Sequence, residues 1–90
     1  MTTITTAIYN KYYDLYQSPN FSNETLKGFV EELEAQNEIA LDHYCMFEQD
    51  EKYELAERAW EVYNTVRMYN HEVIKAINAI IEERSRKGVC

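Results

Sequence analysis

The sequence predicts an all-α protein: a short N-terminal helix followed by a long antiparallel helical hairpin, together a three-helix bundle with a coiled-coil-like seam. Three observations lead there. Of the 90 residues only two are Gly and one is Pro, while 46% are hydrophobic, so breakers are scarce and enough apolar surface exists to offset the entropy of ordering. Apolar residues recur at alternating spacings of three and four along two long stretches. Between those stretches the register slips by one residue across the polar run 48–52. In a continuous helix such a slip would swing the apolar stripe by about 100°, and a turn is the simpler solution.

The first helix is expected over residues 4–17, where Ile4, Ile8, Tyr12, Leu15 and Tyr16 share a stripe. It ends at Ser18-Pro19-Asn20, because the residue before Pro is pushed out of the α region. A second start follows at once, giving a helix over 22–47. Ser22 is a natural N-cap, Glu24 suits the positive end of the helix dipole, and Phe21 and Leu26 occupy the two hydrophobic-staple positions. Its seam reads Leu26, Val30, Leu33, Asn37, Ala40, Tyr44, Phe47. Asn37 is the polar member, of the kind that sets register at some cost in stability.

The third helix is expected over 51–86, with Asp50 as its N-cap and Glu51 and Glu54 beside the dipole's positive end. Its seam reads Leu55, Ala59, Val62, Val66, Tyr69, Val73, Ala76, Ile80. At 1.5 Å per residue the hairpin arms are about 39 and 54 Å long, so the third overhangs the second by about 15 Å. The overhang is also its most apolar part, from Val73 to Ile81. Helix one and a second copy of the chain are the two candidates to cover it, and both are expected. Asn37, Ile74, Ile77 and Ile81 are the residues expected at an interface between copies.

Ninety residues make one domain, and a chain of this size is often marginal on its own. No apolar run approaches the roughly 18 residues that would span a bilayer, and MTTITTA lacks the apolar centre of a signal peptide. A cytoplasmic protein with no membrane contact is therefore expected. Cys45 and Cys90 are the only thiols; their placement makes neither a disulfide framework nor a metal knuckle.

Charge is uneven. The net is −7, but residues 24–61 carry twelve acids against Lys27, Lys52 and Arg58, whereas residues 62–90 are net basic. Phosphate would be repelled by the larger patch, which disfavours direct nucleic-acid binding. A protein partner with a basic surface, or self-association as a homodimer, suits the asymmetry. Glu31, Glu34, Glu38 and Asp42 climb one face of helix two, and Glu54, Glu57 and Glu61 do the same on helix three. Together with Glu48, Asp50 and the exposed members of a tyrosine cluster, Tyr9 and Tyr13, the acids Glu31, Glu34, Glu38, Asp42 and Glu54 are the candidate partner-binding residues. Tyrosine, present eight times, buries a large area and keeps a polar handle, as interfaces favour.

No catalytic residues, cofactor or metal site are expected. His43 has no carboxylate at i±3 or i±4, and His71 lies between Arg67 and Lys75, which repel a cation. The Glu-x-x-His pairs of di-iron bundles are missing, and Gly28 and Gly88 stand alone rather than in a phosphate loop. Arg67-Met-Tyr-Asn-His71 resembles the Arg-then-His signature of the helical HEPN nucleases, with three intervening residues where that motif has four to six. The resemblance implies an RNase in which His71 works as general acid or base beside Arg67. Tyr with Lys11 or Arg67 also suggests a nucleotide- or small-ligand-sequestering protein. In size, acidity and helical style the chain resembles phage and mobile-element inhibitors of host defence, anti-CRISPR proteins among them. That likeness implies a non-enzymatic protein that binds and inhibits or adapts a larger partner, and this is the leading expectation.

Overall fold

The computed structural model describes residues 4–87. It contains three helices, α1 (Ile4–Tyr16), α2 (Asn23–Gln49) and α3 (Tyr53–Lys87), and among the described residues no strand. The all-α architecture expected from the periodicity is thus observed. The molecule measures 57 × 33 × 18 Å. The 35 residues of α3 extend about 53 Å, so this one helix runs the whole length, and α1 and α2 both pack on it.

The entry to α2 follows its local chemistry. Ser22 is extended at φ −71°, ψ 161° and its side chain accepts the Thr25 amide at 3.1 Å, satisfying one of the helix's orphan donors. Phe21 and Leu26 flank this cap as a staple, and Leu26 is fully buried. The exit from α2 differs from expectation. Asp50 is not the N-cap of α3; it closes α2, at φ −82°, ψ 4°. Glu51 then takes the left-handed conformation at φ 59°. Its amide donates to Glu48 O at 3.1 Å, and the Lys52 amide donates to Phe47 O at 2.9 Å. These two bonds form a Schellman motif, and Lys52 O accepts the first bond of α3, from the Ala56 amide at 2.9 Å. The α2–α3 turn therefore uses the backbone itself, with Glu51 rather than Gly at its left-handed position.

Along α2 the seam is as read: Leu26 is buried, and Val30, Leu33, Asn37, Ala40, Tyr44 and Phe47 are half-buried. Along α3 the reading is corrected. Leu55, Val62 and Tyr69 are 42%, 57% and 36% exposed. The residues turned to α2 are Ala56, Ala59, Tyr63, Val66, Asn70, Val73, Ile77 and Ile80, again spaced three and four. The cause is the width of the apolar arc on α3, which must serve two neighbours. Asn70 on α3 and Asn37 on α2 form one polar layer, the Asn70 amide donating to Asn37 Oδ1 at 3.1 Å and to Leu33 O at 3.3 Å.

The core lies at the end far from the turn, where Leu26, Val73, Ile77 and Ile80 are enclosed by Ile8, Tyr12 and Tyr16 of α1 and by Phe29 and Leu33. The expected overhang is corrected: Leu26, Phe29 and Leu33 of α2 reach Val73, Ile77 and Ile80. Helix one closes the same core from another side, except for its first turn, where Ile4 is 74% exposed. Ile77, expected at an interface between copies, is sealed in this intrachain core, with Ile81 half-buried against it and Ile74 half-buried nearby. Arg84 secures the α1–α2 connection by donating to the carbonyls of Phe21 at 2.6 Å and Ser18 at 3.0 Å and to Asn23 Oδ1 at 3.1 Å. The side chains thus supply what the loop backbone lacks in internal bonds.

A candidate partner-binding groove

One strip of α3, spaced by heptads through Leu55, Val62, Tyr69 and Ala76, runs along the edge of the α2–α3 seam, on the side where α1 packs. Helix one covers that side only at one end, where Tyr12 and Tyr69 meet edge-to-face at 5.7 Å and share a hydrogen bond between their hydroxyls. Toward the turn nothing among the described residues covers the strip. What remains is a groove of about 490 Å³. Its α2 wall is Gln36, Ile39, Ala40, His43 and Phe47, and its α3 wall is Leu55, Arg58, Ala59, Val62 and Val66. No α1 residue lines it. Gln36 is also a wall of the recess beside Tyr12 and Tyr16, so the groove continues the line of the α1 seat.

The floor is apolar and its borders are acidic. Ile39 and Val62 are more than half exposed, an unusual state for β-branched residues facing each other across two helices. Glu61 lines its immediate extension with Arg58, Glu32 lines the recess at its α1 end, and Asp50, Glu51 and Glu54 are exposed at the turn end. Arg58 and His43 are the basic members of its walls. The groove therefore presents an apolar channel about three helical turns long on a chain of net charge −7.

The expected site residues are distributed rather than gathered. Glu31, Glu34, Glu38 and Asp42 are all exposed on α2, with Asp42 nearest the groove and Glu34 in a separate recess with Arg67 and His71. Glu48 and Asp50 lie exposed at the tip, and Glu54 beside them. Tyr9 and Tyr13 stack at 6.0 Å and are engaged by α3: Tyr13 donates to Glu83 Oε2 at 2.5 Å, and Lys75 sits over the Tyr9 ring at 5.9 Å. That hydrogen bond, with burial and the Glu83 charge, raises the Tyr13 phenol above its ordinary range. These two tyrosines tie α1 to α3.

Arg67 and His71 share a recess with Asn37, Met68 and Ile74, but Arg67 lies over the Tyr63 ring at 5.7 Å. Lys11, over Tyr12 at 5.6 Å, is not among the walls of that recess. No three His, Cys, Asp or Glu side chains converge to hold a metal among the described residues. No helix among them is long and apolar enough to cross a membrane.

The groove residues Ile39, His43, Leu55 and Val62 escaped the sequence reading as a site. Their signal was present in the heptad strip at 55, 62, 69 and 76, which read as the α2 seam because it holds more apolar residues than the true seam at 56, 63, 70 and 77. Fold and site together define a helical hairpin with an incompletely filled third-helix position. Comparison with protein families, with curated proteins and with solved structures finds no match.

Proposed function

We propose that this chain is a non-enzymatic binding protein whose groove receives an amphipathic helix with basic flanks from a larger protein. One observation carries the reading: the face of the hairpin that takes α1 at one end is an open apolar groove at the other, with Glu61 and Glu32 in the recesses that adjoin it. The geometry suits a helix, since α1 already occupies the same line through Ile8, Tyr12 and Tyr16. Walls spanning residues 36–47 correspond to about 17 Å of helix, the length of a three-turn segment with apolar residues at i, i+3/i+4 and i+7. Charge selects the flanks, because Lys or Arg beside those residues would meet the acidic borders. A second copy placed groove to groove would set acidic border against acidic border, which disfavours the homodimer at this face. Engaging a basic helix that a larger protein needs for its own contacts would inhibit or redirect that protein, the mode that likeness to small phage inhibitors implies.

The test uses two synthetic 14-residue helices that share a Leu stripe, one flanked by Lys and one by Glu, titrated calorimetrically into the full chain. The Lys-flanked peptide binds and the Glu-flanked one is weaker by at least about tenfold, or 1.4 kcal/mol. That difference shrinks as ionic strength rises from about 0.1 to 1 M and the Debye length falls from about 10 to 3 Å. Val62→Glu, at a 57% exposed site, abolishes binding and leaves the fold intact. Equal binding of both peptides, indifference to Val62→Glu, or a wild-type dimer that this substitution makes monomeric would overturn the proposal.

A further inference from the structure

On the other side of the α2–α3 seam, at the tip of the hairpin, aromatic rings form a ladder independent of the groove. Tyr44 and Trp60 lie 5.0 Å apart, and Trp60 and Tyr63 5.6 Å apart. The chain's own Arg67 places its guanidinium over Tyr63, 5.7 Å from the ring centre, so one end of the ladder already carries an organic cation. The other end is open. There Tyr44, Tyr53 and Trp60 enclose a recess of about 280 Å³ with the carboxylates of Glu48 and Glu57, over the small buried Ala56. Trp60 is 44% and Tyr53 65% exposed, so neither ring is spent on the core. Neither carboxylate is in an ion pair among the described residues.

We propose that this recess binds an organic cation, a guanidinium or alkylated ammonium group, held over the Trp60 and Tyr53 rings and faced by Glu48 and Glu57. An aromatic face attracts a cation through its quadrupole, most strongly for Trp, and the attraction grows as the cation sheds water. Two carboxylates at the mouth add Coulomb attraction for any cation and distinguish it from a neutral group of equal shape. The recess is too small for a folded partner and large enough for one side-chain head or a small free amine. The site stands apart from the groove and does not depend on it.

Trp60 is the chain's one tryptophan, which makes its fluorescence a direct reporter. The full chain is titrated with N-acetyl-arginine amide, with tetramethylammonium chloride, and with the neutral isostere N-acetyl-citrulline amide, ionic strength being held constant with NaCl. A saturable change in Trp60 emission with the cations, absent with the citrulline compound, is expected. Glu48→Gln/Glu57→Gln weakens it at least about tenfold; both positions are exposed, and an unchanged far-ultraviolet circular dichroism spectrum verifies the fold. Tighter binding of the arginine amide assigns the site to a partner's side chain, and tighter binding of tetramethylammonium to a free quaternary amine. No saturation below about 100 mM, an equal response to the citrulline compound, or unweakened binding by the double variant would overturn the assignment.

Discussion

Glu51 is the one non-Gly residue at positive φ among the described residues, at φ 59° in the middle of the turn. A non-Gly residue in the left-handed region suffers a clash between its Cβ and carbonyl oxygen worth roughly 1–2 kcal/mol, while Gly gives back part of that as unfolded-state entropy. Glu51→Gly should therefore raise stability by about 1 kcal/mol, a gain of roughly 4–8 °C in melting temperature for a chain of this size. Glu51→Val should lower it, read in the same thermal melt. Tyr69 offers a second test. Its hydrogen bond with Tyr12, then burial, push its phenol from 10.0 up to about 12. The folded chain holds this proton more tightly than the unfolded chain, so the contribution is complete below pH 10 and is lost as pH rises from 10 toward 12. The denaturation midpoint should fall steeply across that interval, and Tyr69→Phe should flatten the fall.

At the scale of elements, the α2 seam was legible because most of its apolar residues have a charged neighbour: Leu26 precedes Lys27, Val30 precedes Glu31, Leu33 sits between Glu32 and Glu34, and Phe47 precedes Glu48. The α3 seam was half legible: Ala59, Val66, Val73 and Ile80 stand where they were expected. Ala56, Tyr63, Asn70 and Ile77 stand where Leu55, Val62, Tyr69 and Ala76 were expected, because an apolar arc wide enough for two neighbours contains two heptad strips. Spacing alone does not say which neighbour takes which. The turn falls within the expected polar run, but Asp50 changed roles: its carboxylate favours a helix N-terminus, and the backbone bonds made through Glu51 and Lys52 outweigh that preference. The polar layer between the arms gives a double test. Asn70 is 4% exposed, and Asn70→Ala leaves Asn37 and Leu33 O without their donor, at a cost of about 1–3 kcal/mol in a urea titration. Replacing both Asn37 and Asn70 by Leu should restore or exceed the original stability while loosening the register that the pair specifies. Arg84 holds the other end. Arg84→Lys offers one point charge in place of a planar fork and should not rescue the roughly 2–3 kcal/mol lost by Arg84→Ala. Hydrogen exchange in α1 should speed up in both variants.

At the scale of the whole molecule, the exposed area is 6710 Å², whereas a chain of 10.7 kDa is expected to expose about 5,500 Å². The excess of about 1,200 Å² exceeds the roughly 800 Å² that one partner contributes to a standard interface. It follows from the plan of the fold: a hairpin 57 Å long has only the 13 residues of α1 as its third helix. The acidity of α2 and of the first turns of α3 was legible from composition, because charge patterning survives in one dimension. The channel between them was not, since it depends on how far α1 reaches. The most direct measurement is methyl-resolved NMR of the full chain titrated with the Lys-flanked helix. Shifts concentrated at the methyls of Ile39, Leu55, Val62 and Val66, with those of Val73 and Ile77 in the α1-covered core unmoved, are the predicted result. Shifts centred on Ile74 and Ile81, or spread through the core as α1 is displaced, would contradict a vacant third-helix position as the binding surface.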